Sequence, residues 1–323
     1  MPEIVQWVVD TRTLWADATS TQDLKRVAPH ALSLLSPVEQ QKALGFVFIK
    51  DAKLSLVSSL LKRLLISRYA RVPWNDAISL PDARKKPVFR SHPGARPVAF
   101  NVSHQDGLVV LAAVCGYTPA GAAGLVEVGV DVVSPHERRA RDIAGLMAHA
   151  GGWAAHIDIY AEIFAAGEVA YLKALAVPPA VAASPEAEAD YRLRYFYALW
   201  CLREAYVKMD GQALTAPWIN DLEFRAFVPP PPGDGAVDGF DVRLHGLPER
   251  DARIELRSLG DRYMIGTAIR TPARPLDAHE FVLGPYQTLD LERELESVEV
   301  QQPEDEADDE AAQQRRRNMY GVE

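Results

Sequence analysis

A chain of 323 residues with 48% hydrophobic content is long enough for one large or two ordinary domains around a substantial core. Its two cysteines, Cys115 and Cys201, lie far apart and outside any CxxC pair, which fits neither a disulfide framework nor a zinc site and points to a reducing compartment. The formal charge of −9 is concentrated after residue 289, where twelve acidic residues meet four arginines, so the body is near neutral and a broad polyanion-binding role is disfavoured.

The N-terminal stretch MPEIVQWVVDTRTLW carries Asp10 and Arg12 behind a short apolar run, with no basic leader. No segment approaches the roughly 18 uninterrupted apolar residues that a bilayer span needs, so a soluble, cytoplasmic protein without a membrane partner is expected. From Lys50, KDAKLSLVSSLLKRLLISRYA spaces Leu54, Val57, Leu60, Leu61, Leu64 and Leu65 along one helix face, leaving Lys62, Arg63 and Arg68 for the wet side. PDARKKPVF is a proline-bounded basic turn, and RSHPGARP a second turn. AFNVSHQDGLVV then reads as a strand that breaks at Ser103-His104 and resumes. GLVVLAAVCGY and GLVEVGVDVVS are β-branched runs separated by TPAGAAG, which predicts a strand pair joined by a loop.

Residues 134–190, which include AVPPAVAASPEAEAD, predict helices around an inserted loop. DYRLRYFYALWCLREAYVKMDGQAL follows as a long helix, with Asp190 as N-cap and Gly211 as stop. LEFRAFV, FDVRLHG, DARIELRSL and RYMIGTAI are strand-like, with PPPPGDGAVDG as a loop over about 229–239. The order of helix then strands thus occurs twice, without a detectable sequence repeat. PEDEADDEAAQQRRRNMYGVE has the composition of a disordered end.

Four features carry chemistry. Asp131 is the only charge in the distal half of an apolar strand, and a buried carboxylate needs a hydrogen bond, a partner or a cation; a cap on the Ser134-Pro135 turn and a metal ligand both satisfy that need. Glu204 and Lys208 share a helix face in the orientation that supports an ion pair, with Trp200 one turn earlier. Ser103 lacks the GxSxG setting of a hydrolase nucleophile, whereas a strand break with free N–H groups, a hydroxyl and an imidazole makes an anion nest; a satisfied polar turn is the alternative. Lys42, Lys50, Lys53, Arg84, Lys85 and Lys86 are surface charges or contacts for a small polyphosphate. No aromatic stripe accompanies them, so no nucleic-acid partner is expected.

Together KKPVF, FNVSH, VGVDVV and WCLREAYVKMDGQAL resemble, in order and spacing, the signature segments of Sfp-type 4′-phosphopantetheinyl transferases. The motifs span roughly Ser36 to Leu214, and the helix and strand order extends the likeness to about residue 285. WCLREAYVKM and LGPYQTLDLE look nearest to the filamentous-fungal enzymes. The resemblance implies an α+β fold of two similar halves related by a pseudo-twofold axis, each a small antiparallel sheet packed with a long helix. On this chain the halves are expected at 1–124 and 125–288, with insertions near 134–190 and 229–239 and an acidic, disordered tail over 289–323. A monomer is expected.

The activity implied is magnesium-dependent transfer of the 4′-phosphopantetheine arm of coenzyme A to a serine of acyl or peptidyl carrier protein domains, releasing adenosine 3′,5′-bisphosphate. Polyketide synthases, nonribosomal peptide synthetases and the lysine-pathway reductase would be served, linking the chain to secondary metabolism and lysine biosynthesis. By resemblance Asp131 and Glu204 hold Mg2+, and Glu204 activates the serine directly or through a metal-bound water. Lys208 and His104 contact the phosphates. Ser103 lies in the ligand-binding break, Lys86 and Pro87 beside the nucleotide, and Lys42 at the 3′-phosphate, with Lys53 a further basic candidate. Where many bacterial members carry a second acid this chain has Val133, and the resemblance assigns Gln105 to the metal shell in its place, with a water as the alternative. Arg203 replaces a usual lysine, and GQAL, with Ala213, replaces GxGL. A magnesium-dependent phosphohydrolase and an inactive coenzyme A-binding scaffold are the rival readings.

Overall fold

The computed structural model describes residues 2–90, 94–118, 126–148, 150–212 and 216–298. In chain order the main elements are β1 (Glu3–Asp10), α1 (Pro37–Leu44), α2 (Ile49–Leu65), β2 (Val98–Gln105), β3 (Leu108–Cys115), β4 (Glu127–Val133), α3 (Arg139–Ala148), α4 (Gly152–Asp158), α5 (Ala166–Lys173) and α6 (Pro185–Asp210). They continue with β5 (Leu222–Arg225), β6 (Ala236–Asp238), β7 (Asp241–Leu244), β8 (Ala252–Leu259), β9 (Tyr263–Arg270), β10 (Gln287–Thr288) and α7 (Leu291–Glu296). The mixture of helices and mainly antiparallel sheets makes the chain α+β.

Two four-stranded sheets organise these elements, one in the order β10-β1-β3-β2 and the other β4-β9-β8-β6. All eight residues of β3 are buried, because both of its faces are covered. One face, with Val109, Leu111 and Ala113, packs with Leu56, Leu60 and Leu64 of α2. The other, with Val110, Ala112 and Val114, meets Val128, Val130 and Val132 of β4. On the far side of the second sheet, Leu199, Leu202 and Tyr206 of α6 pack against Val133, Leu256 and Met264. The two sheets therefore share a core, and each has its own long helix on the outside.

Local chemistry explains the helix ends. Ser36 and Glu39 form a capping box with Pro37 in the first turn of α1. Helix α6 starts at Ser184, whose Oγ accepts from the Ala187 amide at 3.2 Å, rather than at Asp190, which instead takes a forked ion pair from Arg139. Its stop is Gly211, as expected, at φ +86°.

Several sequence expectations are corrected. The chain does not break at Ser103-His104: β2 runs through both, paired with Val110 and Val109, and reverses at Asp106-Gly107. These two residues have φ of +47° and +83°, the left-handed pair that a two-residue hairpin of matching twist requires. GLVVLAAVCGY and GLVEVGVDVVS do not pair with each other; β3 lies between β1 and β2, and β4 pairs with β9. Arg63 is 4% exposed rather than wet, because Glu39 of α1 pairs with it at 2.6 Å and the Trp74 carbonyl accepts from it.

The tail does not begin at 289. Leu289, Leu291 and Leu295 are buried in the first core, and β10 adds a parallel strand to β1, so residues 287–298 return to the N-terminal half. Residues 299–323, residues 119–125 with most of the TPAGAAG loop and the 124/125 boundary, and Ala213 of GQAL lie outside the described residues. The inserted region holds α3, α4 and α5, and the 229–239 loop contains the short edge strand β6. Both cysteines are free and buried. Among the described residues no helix is long and apolar enough to cross a membrane.

Candidate active site

The site lies where β2 of the first sheet meets β4 and α6 of the second half. Strand β4 can sit hard against α6 because residue 129 is glycine: a Cβ there would come within 2.0 Å of the Ala205 carbonyl oxygen and 2.3 Å of the Met209 amide nitrogen. This close approach sets Asp131 beside the face of α6 that carries Glu204 and Lys208. From the other half, the Asn101 side chain accepts the Val130 amide at 3.0 Å, fixing β2 against the free edge of β4.

Within that frame three polar groups close a triangle. Lys208 Nζ lies 2.5 Å from Asp131 Oδ1 and 2.9 Å from Ser103 Oγ, and the serine hydroxyl donates to the same Asp131 oxygen at 2.9 Å. Asp131 is 6% exposed, so the ammonium supplies the counter-charge that its burial demands. The ion pair expected between Glu204 and Lys208 thus gives way to one between Lys208 and Asp131.

Glu204 sits close enough to feel both. Burial pushes its carboxyl above the ordinary range, and the Asp131 charge pushes it further, against the pull of Lys208. His104, at the end of β2, is pushed down by desolvation and by the Lys208 charge, which favours a neutral imidazole near pH 7. Two carboxylates, one of them already holding an ammonium, form a donor set suited to a hard divalent cation such as magnesium. Among the described residues no group of three or more His, Cys, Asp and Glu side chains could hold a metal, so a cation beside Asp131 and Glu204 would need further donors such as water or substrate oxygens.

The remaining assignments divide. Gln105 Nε2 donates to Glu137 Oε2 at 2.8 Å, which leaves the amide oxygen as the atom available to a cation. Lys42 is exposed on α1; burial, and after it the Lys42 charge, lowers the pKa of Lys62 on α2. Pro87 belongs to a two-residue bridge with Pro81. Lys86 turns away from solvent and donates to the Val128 and Met209 carbonyls at 2.8 and 2.9 Å; burial lowers its pKa to about 8. Lys53 is 8% exposed and gives its ammonium to the Leu14 carbonyl at 2.6 Å, a structural tie.

Arg203, where the resemblance expects a lysine, spends its charge internally. It is 1% exposed and donates to Glu168 Oε2 and the Leu222 carbonyl at 2.6 Å, and to the carbonyls of Ile163 and Ile219. Glu168 also accepts the Ala165 and Phe224 amides, so this network ties α6 to α5 and β5. Sequence reasoning missed Asn101 and Glu137 as neighbours of the site; FNVSH does place a polar residue two before Ser103, on the same strand face.

The family model described as "4′-phosphopantetheinyl transferase, N-terminal" matches residues 22–116, and the one described as "4′-phosphopantetheinyl transferase superfamily" matches residues 127–257. The chain is 46% identical over 294 residues to 4′-phosphopantetheinyl transferase 1 of Fusarium mangiferae, covering 91% of this chain and 94% of that one. It is 31% identical over 333 residues to 4′-phosphopantetheinyl transferase NpgA of Emericella nidulans, again covering 91% and 94%. A shorter match, 34% identical over 86 residues, joins it to the L-aminoadipate-semialdehyde dehydrogenase-phosphopantetheinyl transferase of Homo sapiens, covering 26% of this chain and 28% of that one. With the two family matches falling on the two halves that build the Ser103–Asp131–Lys208 triangle, this chain belongs to the 4′-phosphopantetheinyl transferase superfamily.

Proposed function

We propose that the chain transfers the 4′-phosphopantetheine arm of coenzyme A to a serine hydroxyl of acyl and peptidyl carrier protein domains, with magnesium as cofactor. The observation that carries this reading is the meeting of Ser103, Asp131 and Lys208, with Glu204 and His104 within electrostatic reach, at the seam of two family-matched halves. Asp131 and Glu204 would hold magnesium, with the Gln105 oxygen as a third protein donor; the ion supplies positive charge against the pyrophosphate oxygens.

The chain's own residues then do the following. Attack by the carrier serine oxygen on the β-phosphorus forms one P–O bond and breaks the bridging P–O bond to adenosine 3′,5′-bisphosphate. The serine proton passes to Glu204, whose raised pKa makes it a stronger base than an ordinary carboxylate. Lys208 moves its ammonium from Asp131 to the departing phosphate, where charge accumulates. Neutral His104 donates a hydrogen bond to a phosphate oxygen, and Lys42 meets the 3′-phosphate from α1. Ser103 is not the nucleophile: its hydroxyl is held by Asp131, and the attacking serine arrives on the partner.

The partners proposed are carrier domains of polyketide and nonribosomal peptide synthases, which the family resemblance implies, and the lysine-pathway reductase in view of the human relative's name. The test is mass spectrometry of apo carrier proteins incubated with the chain, coenzyme A and magnesium. A gain of one phosphopantetheine arm is expected; no gain across carriers of all three kinds would overturn the reading.

A further inference from the structure

Among the described residues strand β4 pairs with β9 alone, and the Val130 N–H and Val128 C=O point from its other edge into the seam between the halves. Buried backbone groups need partners, and here side chains of the other half provide them. Asn101 takes the Val130 amide, and Lys86 donates to the Val128 carbonyl. The same ammonium donates to the carbonyl of Met209 in the last turn of α6, where helix carbonyls have no partner within the helix and a positive charge is favoured. Arg84 of the same turn donates to the next carbonyl, that of Asp210, at 2.5 Å.

We propose that Lys86 is a positioning residue, whose ammonium fixes the spacing between the strand that carries Asp131 and the helix that carries Glu204 and Lys208 instead of contacting the nucleotide. Val128 lies three residues before Asp131, and Met209 directly follows Lys208, so one side chain grips both supports of the site. Two of the three donors of the ammonium are spent on these carbonyls. Burial lowers its pKa to about 8, as expected for a charge facing protein rather than solvent. The roles of Asp131, Glu204 and Lys208 rest on the transferase reading; the tether itself does not.

The experiment compares wild type with Lys86→Met and Lys86→Arg by three measurements: carrier loading, calorimetric binding of adenosine 3′,5′-bisphosphate, and amide hydrogen exchange. For Lys86→Met we expect kcat to fall by about tenfold or more from loss of two charge-assisted hydrogen bonds. KM for coenzyme A and bisphosphate affinity should stay within about twofold, since neither depends on the tether in this account. Exchange should quicken in residues 127–133 and at the end of α6. Lys86→Arg, which keeps charge and donors, should recover part of kcat, and it carries the comparison if Lys86→Met does not fold. A large loss of bisphosphate affinity with kcat and exchange unchanged would overturn the proposal, as would no change in any measurement. A wild-type chain that loads no carrier would sink the transferase reading alone, leaving exchange and bisphosphate binding to judge the tether.

Discussion

Lys208 Nζ stands 2.5 Å from Asp131 Oδ1, although the two residues are 77 apart in sequence and belong to different elements. The ammonium fills the position of counter-cation to a buried carboxylate, so it competes with any metal for the same oxygen. Lys208→Met should therefore bind Mn2+, a reporter for magnesium, more tightly than wild type while loading carriers about 10²-fold more slowly. Calorimetric Mn2+ titration beside the loading assay reads both; weaker Mn2+ binding would show that Lys208 supports the metal rather than competing with it.

Glu204→Gln should abolish carrier loading yet leave coenzyme A binding intact. It should also raise the midpoint of thermal unfolding at pH 7. The sign follows from linkage: the folded-state pKa of Glu204 lies above the unfolded value, so its contribution to stability is full below the unfolded pKa and is lost as pH rises through the folded pKa. Glutamine removes that loss. In wild type the acid limb of the activity profile should follow the raised pKa, and Asp131→Asn should move any residual activity's limb to lower pH by removing the like charge. Thermal midpoints and pH–rate profiles check these outcomes.

Gly129→Ala should destabilise the protein by about 3 kcal/mol, because the added methyl would meet backbone, not a movable side chain, at the Ala205 carbonyl and Met209 amide. Urea unfolding measures the loss. A cost under about 0.5 kcal/mol, the range of ordinary surface changes, would mean that β4 and α6 separate freely.

Arg203→Lys keeps the charge yet should cost about 3 kcal/mol, since one ammonium cannot satisfy Glu168 and three backbone carbonyls in forked geometry. Denaturant midpoints for Arg203→Lys and Glu168→Gln should both fall. An unchanged Arg203→Lys midpoint would show that charge alone is what the position requires.

Gln105→Ala should raise the magnesium concentration needed for half-maximal loading, because it removes the amide oxygen left available by the bond to Glu137. An unaltered magnesium titration would assign that place to water.

The sequence by itself determined elements whose cause is local. The leucine spacing of α2, the αL stop at Gly211 and the four late strands follow from periodicity and turn chemistry. Two further signals are equally local: Ser36-x-x-Glu39 with Pro37 marks the start of α1, and Asp106-Gly107 marks the hairpin turn that lies beyond Ser103-His104. The site residues were legible as types, since an acid in an apolar strand and a Glu/Lys pair one turn apart are unusual choices. Their partners were not. Lys208 turns to Asp131 rather than Glu204, Arg63 to Glu39 rather than water, Gln105 to Glu137, and Lys86 to two carbonyls of the opposite half. Only the tertiary structure decided these, because a long charged side chain takes whichever partner the packing of distant elements brings within about 3 Å, and sequence spacing limits the choice only within one helix or strand.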